Sequence, residues 1–244
     1  MIGSPLVLEP LFSIGPVPIT SPVVVTWAII AALWAFCALA TRRLAMRPTR
    51  AQAVLEIVVG AIDGQIRDTM QTEPGPYRAL IGTIFLYVLV ANWSSLIPGI
   101  EPPTAHLETD AALALVVFCA TIAYGIAVRG LGGYLKTFAD PSWIMIPLNV
   151  VEQITRTFSL IVRLFGNVMS GVFVIAIVLS LAGLLVPIPL MALDLLTGAV
   201  QAYIFAVLAT VFVGAAVGGE GGPPPAPPTA AAGPSPKDSE RKTS

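Results

Sequence analysis

Five long apolar runs constrain what this chain can fold into more than any other feature. They cover residues 23–40, 78–98, 111–128, 148–186 and 190–217. A helix needs about 17–25 such residues to cross the hydrocarbon core of a bilayer. Only 11% of the 244 residues are charged, whereas soluble domains carry about 25%. The sequence therefore predicts an all-α integral membrane protein with five membrane-crossing helices.

Residues 49–70 depart from this pattern. Apolar side chains recur there at helical spacing among Glu56, Asp63, Arg67 and Asp68. A helix with one apolar and one charged face lies along a membrane surface instead of crossing it. We therefore expect one interfacial amphipathic helix on the cytoplasmic side, in addition to the five crossings.

The positions of the basic residues predict the orientation. Four arginines lie between residues 42 and 50, directly after the first apolar run. Basic residues of this kind mark the cytoplasmic side. The loop 99–110 contains acidic residues and no lysine or arginine, as expected outside. The chain is accordingly predicted to start outside and to end in the cytoplasm.

Three regions follow from this layout. Residues 1–22 contain five prolines and are predicted to form an irregular extracytoplasmic lead-in. Residues 23–217 form the membrane domain. Residues 218–244 are rich in proline, glycine and alanine and are predicted to be a disordered cytoplasmic tail. No spacing typical of metal ligands or of a phosphate-binding loop occurs, so no cofactor and no metal site are expected.

The fourth run is too long to stand upright in a membrane. As a helix, residues 148–186 would measure about 57 Å, against about 30 Å of hydrocarbon. This predicts a steep tilt. Pro187 and Pro189 indicate a turn, after which residues 190–217 return as an antiparallel neighbour. The last two helices are therefore predicted to form a long, tilted hairpin.

A polar stripe follows one face of the long helix, because its members succeed one another at steps of three or four residues. They are Asn149, Glu152, Arg156, Ser159, Arg163, Asn167 and Ser170. A shorter stripe on the last helix contains Asp194, Thr197 and Gln201. Polar side chains inside a membrane protein face a partner, a cavity or water. We therefore expect the two stripes to face each other or one common cavity.

Taken singly, these residues allow other interpretations. Arg163 lies two turns beyond Arg156 and can extend its side chain to the interface. Asp194 can be an interfacial residue beside the outer turn, and Asn167 and Gln201 can hydrogen-bond between helices. The joint placement of the residues on two stripes is what favours a functional site.

Two segments resemble subunit a of F-type ATP synthases. Residues 159–167 match the family's signature S-L-x-x-R-L-F-G-N, and residues 201–205 are similar to its Q-A-x-I-F. Weaker similarities occur at residues 147–149, at Asn92 and at residues 103–105. The predicted topology also agrees with that of the family, so the resemblance covers roughly residues 20–217.

The resemblance implies an ion-translocating stator subunit that catalyses no reaction itself. Arg163 would face a carboxylate on each passing c subunit, displace its bound ion and block a leak between two offset half-channels. Ser159, Asn167, Asp194 and Gln201 would also take part in ion translocation. The other polar residues of interest are expected to line the half-channels. They are Asn92, His106, Glu108, Asn149, Glu152, Arg156, Ser170 and Thr197.

Two departures from the family concern the outer half-channel. Val172 stands where the family often carries a glutamate, and Asp194 stands where it often carries a histidine or glutamate. One carboxylate therefore remains, on the other helix. Ser95 and the proline-rich tail also depart from the family, which indicates a divergent bacterial branch. The ion, proton or sodium, is left open because the coordinating carboxylate belongs to the rotor.

The implied partners are the ring of c subunits, the b subunits of the peripheral stalk and the rest of the complex, in a bacterial inner membrane. A net charge of −1 argues against nucleic acid as a partner. The competing prediction is a stand-alone secondary transporter in which Arg163 binds an anionic substrate. Such transporters have repeated halves and broken helices, and the sequence indicates neither. A structural membrane scaffold is the third alternative.

Overall fold

The computed structural model describes residues 10–14, 17–41, 50–97, 101–139, 144–182 and 186–218. Residues 1–9 of the predicted lead-in and the predicted tail beyond Gly218 lie outside these ranges. Six helices account for most of the described chain. They are α1 (Ser21–Thr41), α2 (Arg50–Met70), α3 (Gly75–Trp93), α4 (Leu107–Ala139), α5 (Met145–Ala182) and α6 (Pro187–Gly218).

Five of the six helices, all except α2, are long and apolar enough to cross a membrane. This confirms the predicted all-α membrane fold. Helix α2 mixes charged and apolar residues, as expected of the amphipathic helix. Its location at the membrane surface stays a prediction.

A short hairpin occurs within the lead-in that was expected to be irregular. Strand β1 (Pro10–Ile14) pairs antiparallel with strand β2 (Val17–Thr20), with Phe12 opposite Ile19. A two-stranded ribbon tolerates Pro10 and Pro18 because each strand has an unpaired edge, where a missing N–H costs no ladder bond.

Two helix boundaries differ from the sequence-based expectations. Helix α6 begins at Pro187, so the two prolines that were expected to make the turn lie in its first helical turn. Proline is tolerated there because the first N–H groups of a helix have no intrahelical partner. Helix α4 continues beyond Arg129 to Ala139, with a break at Gly130, whose φ of 71° is accessible mainly to glycine.

Helix α6 lies at the centre of the bundle, where it packs against α2, α3, α4 and α5. Its fully buried face consists largely of small side chains, among them Ala202, Ala206 and Ala209. Small residues let neighbouring helices approach closely, which is how membrane helices gain packing energy without a hydrophobic driving force. Helix α1 lies at the periphery and exposes Trp27 and Trp34.

Polar contacts hold α2 against the bundle. Arg78 on α3 donates two hydrogen bonds to Asp63 on α2, from Nε to Oδ1 at 2.5 Å and from Nη2 to Oδ2 at 2.6 Å. The Tyr203 hydroxyl on α6 donates to Gln65 Oε1 on α2 at 2.7 Å. A two-pronged arginine–carboxylate pair fixes direction as well as distance. Helix α2 is therefore tied to both α3 and α6.

Helices α5 and α6 touch at two well-separated points. The Arg156 guanidinium, early in α5, lies 5.6 Å from the centroid of the Phe212 ring, late in α6. Gly171, later in α5, lies against Asp194, early in α6. The predicted tilt and the complete hairpin stay predictions, since residues 183–185 lie outside the described chain.

Candidate functional site

Helix α5 presents Arg163 away from the bundle. Leu160, Leu164 and Val168 follow one another at steps of four residues and are buried against the other helices, whereas Arg163 lies on the exposed side. Among the described residues the Arg163 guanidinium makes no hydrogen bond and no ion pair. Because arginine stays protonated in any accessible environment, α5 offers a permanent positive charge to a group from outside this chain.

A cavity of about 560 Å³, which we call the α5 cavity, opens beside the first half of α5. It is lined by Leu148, Val151, Glu152, Thr155, Arg156, Ser159, Leu160, Arg163, Leu208 and Phe212. Four members of the predicted polar stripe thus line one space. Glu152 and Arg156 form an ion pair within the cavity. Arg163 lies at the far end of the α5 cavity and, unlike Arg156, has no ion-pair partner among the described residues.

A second polar group, which we call the Asp194 cluster, consists of Asn92, Ser95, Thr104 and Asp194. The Ser95 hydroxyl, in the short 3-10 helix Ser94–Leu96 that follows α3, lies 3.2 Å from Asp194 Oδ2 and also donates to the Asn92 carbonyl oxygen at 2.9 Å. The other carboxylate oxygen, Oδ1, occupies the place where a Cβ at Gly171 would lie. Asp194, on α6, is thus held between α5 and the short 3-10 helix after α3, and it is half-buried.

Position 171 explains how an acid on α6 can reach the face of α5. Gly171 directly precedes Val172, the position where the resemblance led us to expect a glutamate. Because Gly171 has no side chain, the Asp194 carboxylate fits against the α5 backbone. The Asp194 carboxylate on α6 therefore lies beside the segment of α5 in which Val172 stands at the family's acidic position.

The Asn92 amide is used in helix packing. Its Nδ2 donates to the Gly198 carbonyl oxygen at 3.0 Å, and its Oδ1 accepts from the Thr104 hydroxyl at 2.8 Å. A Cβ at Gly198 would come within 3.0 Å of Asn92 Cβ, so glycine is what allows this approach. Asn92 therefore joins α3 to α6, a structural task beside its predicted place in a half-channel.

Gln201 and Asn167 differ in their surroundings. Gln201 is 6% exposed, and its Nε2 has no hydrogen-bond partner among the described residues. An unpaired buried donor costs about 1–3 kcal/mol. Asn167 is half-buried on α5, where its backbone carbonyl accepts from the Ser170 hydroxyl at 2.9 Å. The Gln201 amide is thus an unused donor within the bundle.

The remaining predicted residues lie outside these contacts. Ser170 and Thr197 are exposed and donate to carbonyl groups of their own helices. Glu108 is exposed in the first turn of α4, and Asn149 is half-buried in the first turns of α5. His106 is buried just before α4 and belongs to neither the α5 cavity nor the Asp194 cluster as described above.

Sequence reasoning missed one buried acid. Asp110, in the first turn of α4, is 0% exposed, and neither of its carboxylate oxygens has a hydrogen-bond partner among the described residues. The sequence does contain a signal for its burial. Asp110 lies four residues after His106 and directly precedes the apolar run 111–128. The sequence pattern instead groups Asp110 with the outer loop, where a carboxylate is solvated.

Comparison with known proteins gives consistent results. Residues 23–214 match the family model described as ATP synthase A chain. The chain is 57% identical over 218 residues to ATP synthase subunit a 2 of Bradyrhizobium sp., covering 89% of this chain and 98% of that protein. It is 47% identical to ATP synthase subunit a 1 of Chlorobaculum parvum, covering 84% and 92%. It is 45% identical to ATP synthase subunit a of Albidiferax ferrireducens, covering 84% and 90%.

Proposed function

The chain belongs to the family of F-type ATP synthase subunits a, and we propose that it conducts ions through two offset half-channels against a rotating ring of c subunits. Membership makes it a bacterial, multi-pass membrane subunit of an ATP synthase, with the stator role of subunit a in ATP synthesis and ion transport. It associates with the rest of that complex. The alternative of a stand-alone transporter loses its basis with this assignment.

The observation that carries the proposal is the setting of Arg163. It is exposed on α5, has no partner among the described residues, and lies between the α5 cavity and the contact of Gly171 with Asp194. A permanent cation at this place stabilises the ionised form of a passing carboxylate. The carboxylate then releases its bound ion into one half-channel and takes up a new ion from the other half-channel.

The two polar regions support separate routes on either side of Arg163. We propose that the α5 cavity, with Glu152, Arg156 and Ser159 in its wall, forms the cytoplasmic half-channel. The Asp194 cluster, together with Gln201 and Asn167, forms the outer one. A direct connection would dissipate about 2.3 kcal/mol per charge at 100 mV, and the Arg163 charge opposes the passage of a cation between the two routes.

We infer the partners and the setting from the same assignment. The exposed face of α5 around Arg163 meets the c ring, and the b subunits of the peripheral stalk contact other surfaces. The subunit itself catalyses no bond chemistry. It lies in the bacterial inner membrane with the N-terminus outside, an orientation supported by the arginines at residues 42–50 and by Lys136. The transported ion is a proton or sodium, and ion flux with and without sodium distinguishes the two.

The variant Arg163→Ala tests the proposal in membranes that contain the assembled complex. We expect ATP synthesis driven by an ion gradient to be lost while the complex remains assembled, because the c-ring carboxylate no longer meets a cation. The measurement is gradient-driven ATP synthesis in vesicles, with assembly checked by native gel electrophoresis. The matched control is Arg67→Ala, which removes an exposed arginine on α2. Normal synthesis by an assembled Arg163→Ala complex would refute the proposal.

A further inference from the structure

Asp110 is the one fully buried acid in the described chain that the proposed half-channels leave without a role. Its side chain is 0% exposed, and both carboxylate oxygens lack a hydrogen-bond partner among the described residues. A buried carboxylate without a partner is expensive, since removing the charge from water costs several kcal/mol. Such a group is expected to hold a proton or to exchange one with a neighbour.

The neighbours of Asp110 form a series from water to the interior. Glu101 leaves 69% of its side chain exposed, and its Oε2 lies 3.4 Å from Nε2 of His106. His106 is 8% exposed, and its Nε2 has no hydrogen bond to any residue that the structure describes. The Asp110 N–H donates to the His106 carbonyl oxygen at 3.3 Å. His106 directly precedes α4 and has an extended backbone, so this bond places both residues at the N-terminus of that helix.

The interior side of Asp110 is also polar. Tyr87 on α3 is buried and interacts electrostatically with Asp110. The Tyr87 hydroxyl lies 3.3 Å from the Thr26 hydroxyl on α1. The loop that carries His106 also carries Thr104, which donates to Asn92 in the Asp194 cluster. Asp110 therefore lies at the same end of the bundle as Asp194.

A metal cation does not suit this place. Hard cations take about six or more oxygen ligands in proteins, whereas the Asp110 oxygens have no partner at hydrogen-bond distance among the described residues. No group of three or more His, Cys, Asp or Glu side chains within the described ranges could hold a metal ion. A proton needs no set of ligands, since one acceptor oxygen is enough.

We propose that Asp110 is a proton-relay residue at the outer end of the bundle, receiving its proton from His106, which exchanges with water beside Glu101. The transfer requires the two side chains to come within hydrogen-bond distance or to share a water molecule, because they are not hydrogen-bonded to each other here. In this step the His106 N–H bond breaks and an O–H bond forms on the Asp110 carboxylate. His106 becomes neutral and Asp110 becomes a neutral acid, so the pair keeps its net charge. The proposal deepens the proposed function and rests on it, since it names the transported ion on the outer side as a proton.

The test compares Asp110→Asn, Asp110→Glu and wild type in vesicles that carry the assembled complex without its soluble ATPase sector. Sodium-free buffer is used. We expect passive proton conductance to fall about tenfold or more in Asp110→Asn, within the range of general acid–base contributions. Asp110→Glu should recover much of the loss because it restores an acid. Thr121→Val is the control, since Thr121 is buried on the same helix but donates to its own helix at Val117.

A second readout does not depend on flux. The infrared difference spectrum between wild type and Asp110→Asn should show the loss of one protonated-carboxyl band. Wild-type conductance in Asp110→Asn, or an Asp110→Glu complex no better than Asp110→Asn, would overturn the relay. If Asp110→Asn does not assemble, conductance of Asp110→Glu below a tenth of wild type overturns it. Arg163→Ala is measured in parallel, so that failure of the relay and failure of the stator function are told apart.

Discussion

Two charged residues of the proposed ion path, Arg163 and Asp194, have opposite surroundings. Arg163 lies on the exposed side of α5 with no partner among the described residues, whereas Asp194 is half-buried and contacts Ser95 and Gly171. Because Arg163 has no partner within the described chain, it is suited to pair with a carboxylate that moves past it on another subunit. A carboxylate held by its own chain is suited to exchange an ion at a fixed point.

The variant Asp194→Asn tests the second role. Asparagine keeps the size of the side chain and can still bond to the Ser95 hydroxyl, but it cannot bind and release a cation in the same way. We expect ion flux through the assembled complex to slow about tenfold or more, by analogy with the loss of a general acid or base. Flux is measured by ATP-driven ion pumping into vesicles.

The comparison for this variant is Ser95→Ala, which removes the hydroxyl 3.2 Å from Asp194 and leaves the carboxylate in place. Its effect on flux should be smaller than that of Asp194→Asn. If flux in the assembled Asp194→Asn complex equals that of wild type, Asp194 is an interfacial residue and the outer route lies elsewhere.

At the scale of helices, close contact between α5 and α6 depends on glycine at position 171. A Cβ there would overlap Asp194 Oδ1. By contrast, a Cβ at Gly60 on α2 would meet nothing within 4 Å. The first glycine serves a helix–helix contact, and the second has no such constraint.

We therefore expect Gly171→Ala to destabilise the membrane bundle by about 1–3 kcal/mol, the usual cost of overpacking a filled site. Gly60→Ala should be neutral or slightly stabilising, because alanine is the better helix former. Thermal unfolding of the purified complex in detergent measures both. The double variant Gly171→Ala with Asp194→Ala should recover stability if the clash is the cause. If the double variant is no more stable than Gly171→Ala, the effect of that substitution does not come from a clash with Asp194.

At the scale of the whole molecule, α6 organises the bundle, and α3 is fastened to it near one end. The Asn92 amide donates to the Gly198 carbonyl, and the Trp93 indole donates to the Leu195 carbonyl at 3.1 Å. Near the other end, Arg129 Nε donates to the Val217 carbonyl at 3.1 Å, satisfying one of the last free acceptors of α6. Both ends of the central helix are thus fixed by other helices.

The orientation of the bundle gives a prediction at this scale. Glu101 and Lys136 are exposed near opposite ends of α4. In a background without Cys37 and Cys119, we expect Glu101→Cys to react with a membrane-impermeant maleimide added outside intact cells. Lys136→Cys should react only after the membrane is opened, since basic loops stay in the cytoplasm. The reverse pattern, with assembly intact, would invert the topology.

Helix periods and apolar length made most of the fold predictable from the sequence. The five spans, the amphipathic α2 and the polar stripe of α5 all follow from local spacing. The ends of helices were less predictable, as the start of α6 at Pro187 and the extension of α4 to Ala139 show. Proline at a helix start and a glycine break depend on what the neighbouring segments allow, which spacing does not record.

The sequence by itself determined that Arg163 lies within an apolar helix, that it shares a face with other polar residues, and that Asp194 and Gln201 share a face on the next helix. Only the tertiary structure decided which partner each polar group has. It placed the Asp194 carboxylate against Gly171, paired the Asn92 amide with the Gly198 carbonyl of α6, and buried Asp110 with no hydrogen-bond partner among the described residues. The physical reason is that periodicity fixes the direction of a side chain on its own helix, whereas burial and hydrogen bonding depend on helices far apart in the chain.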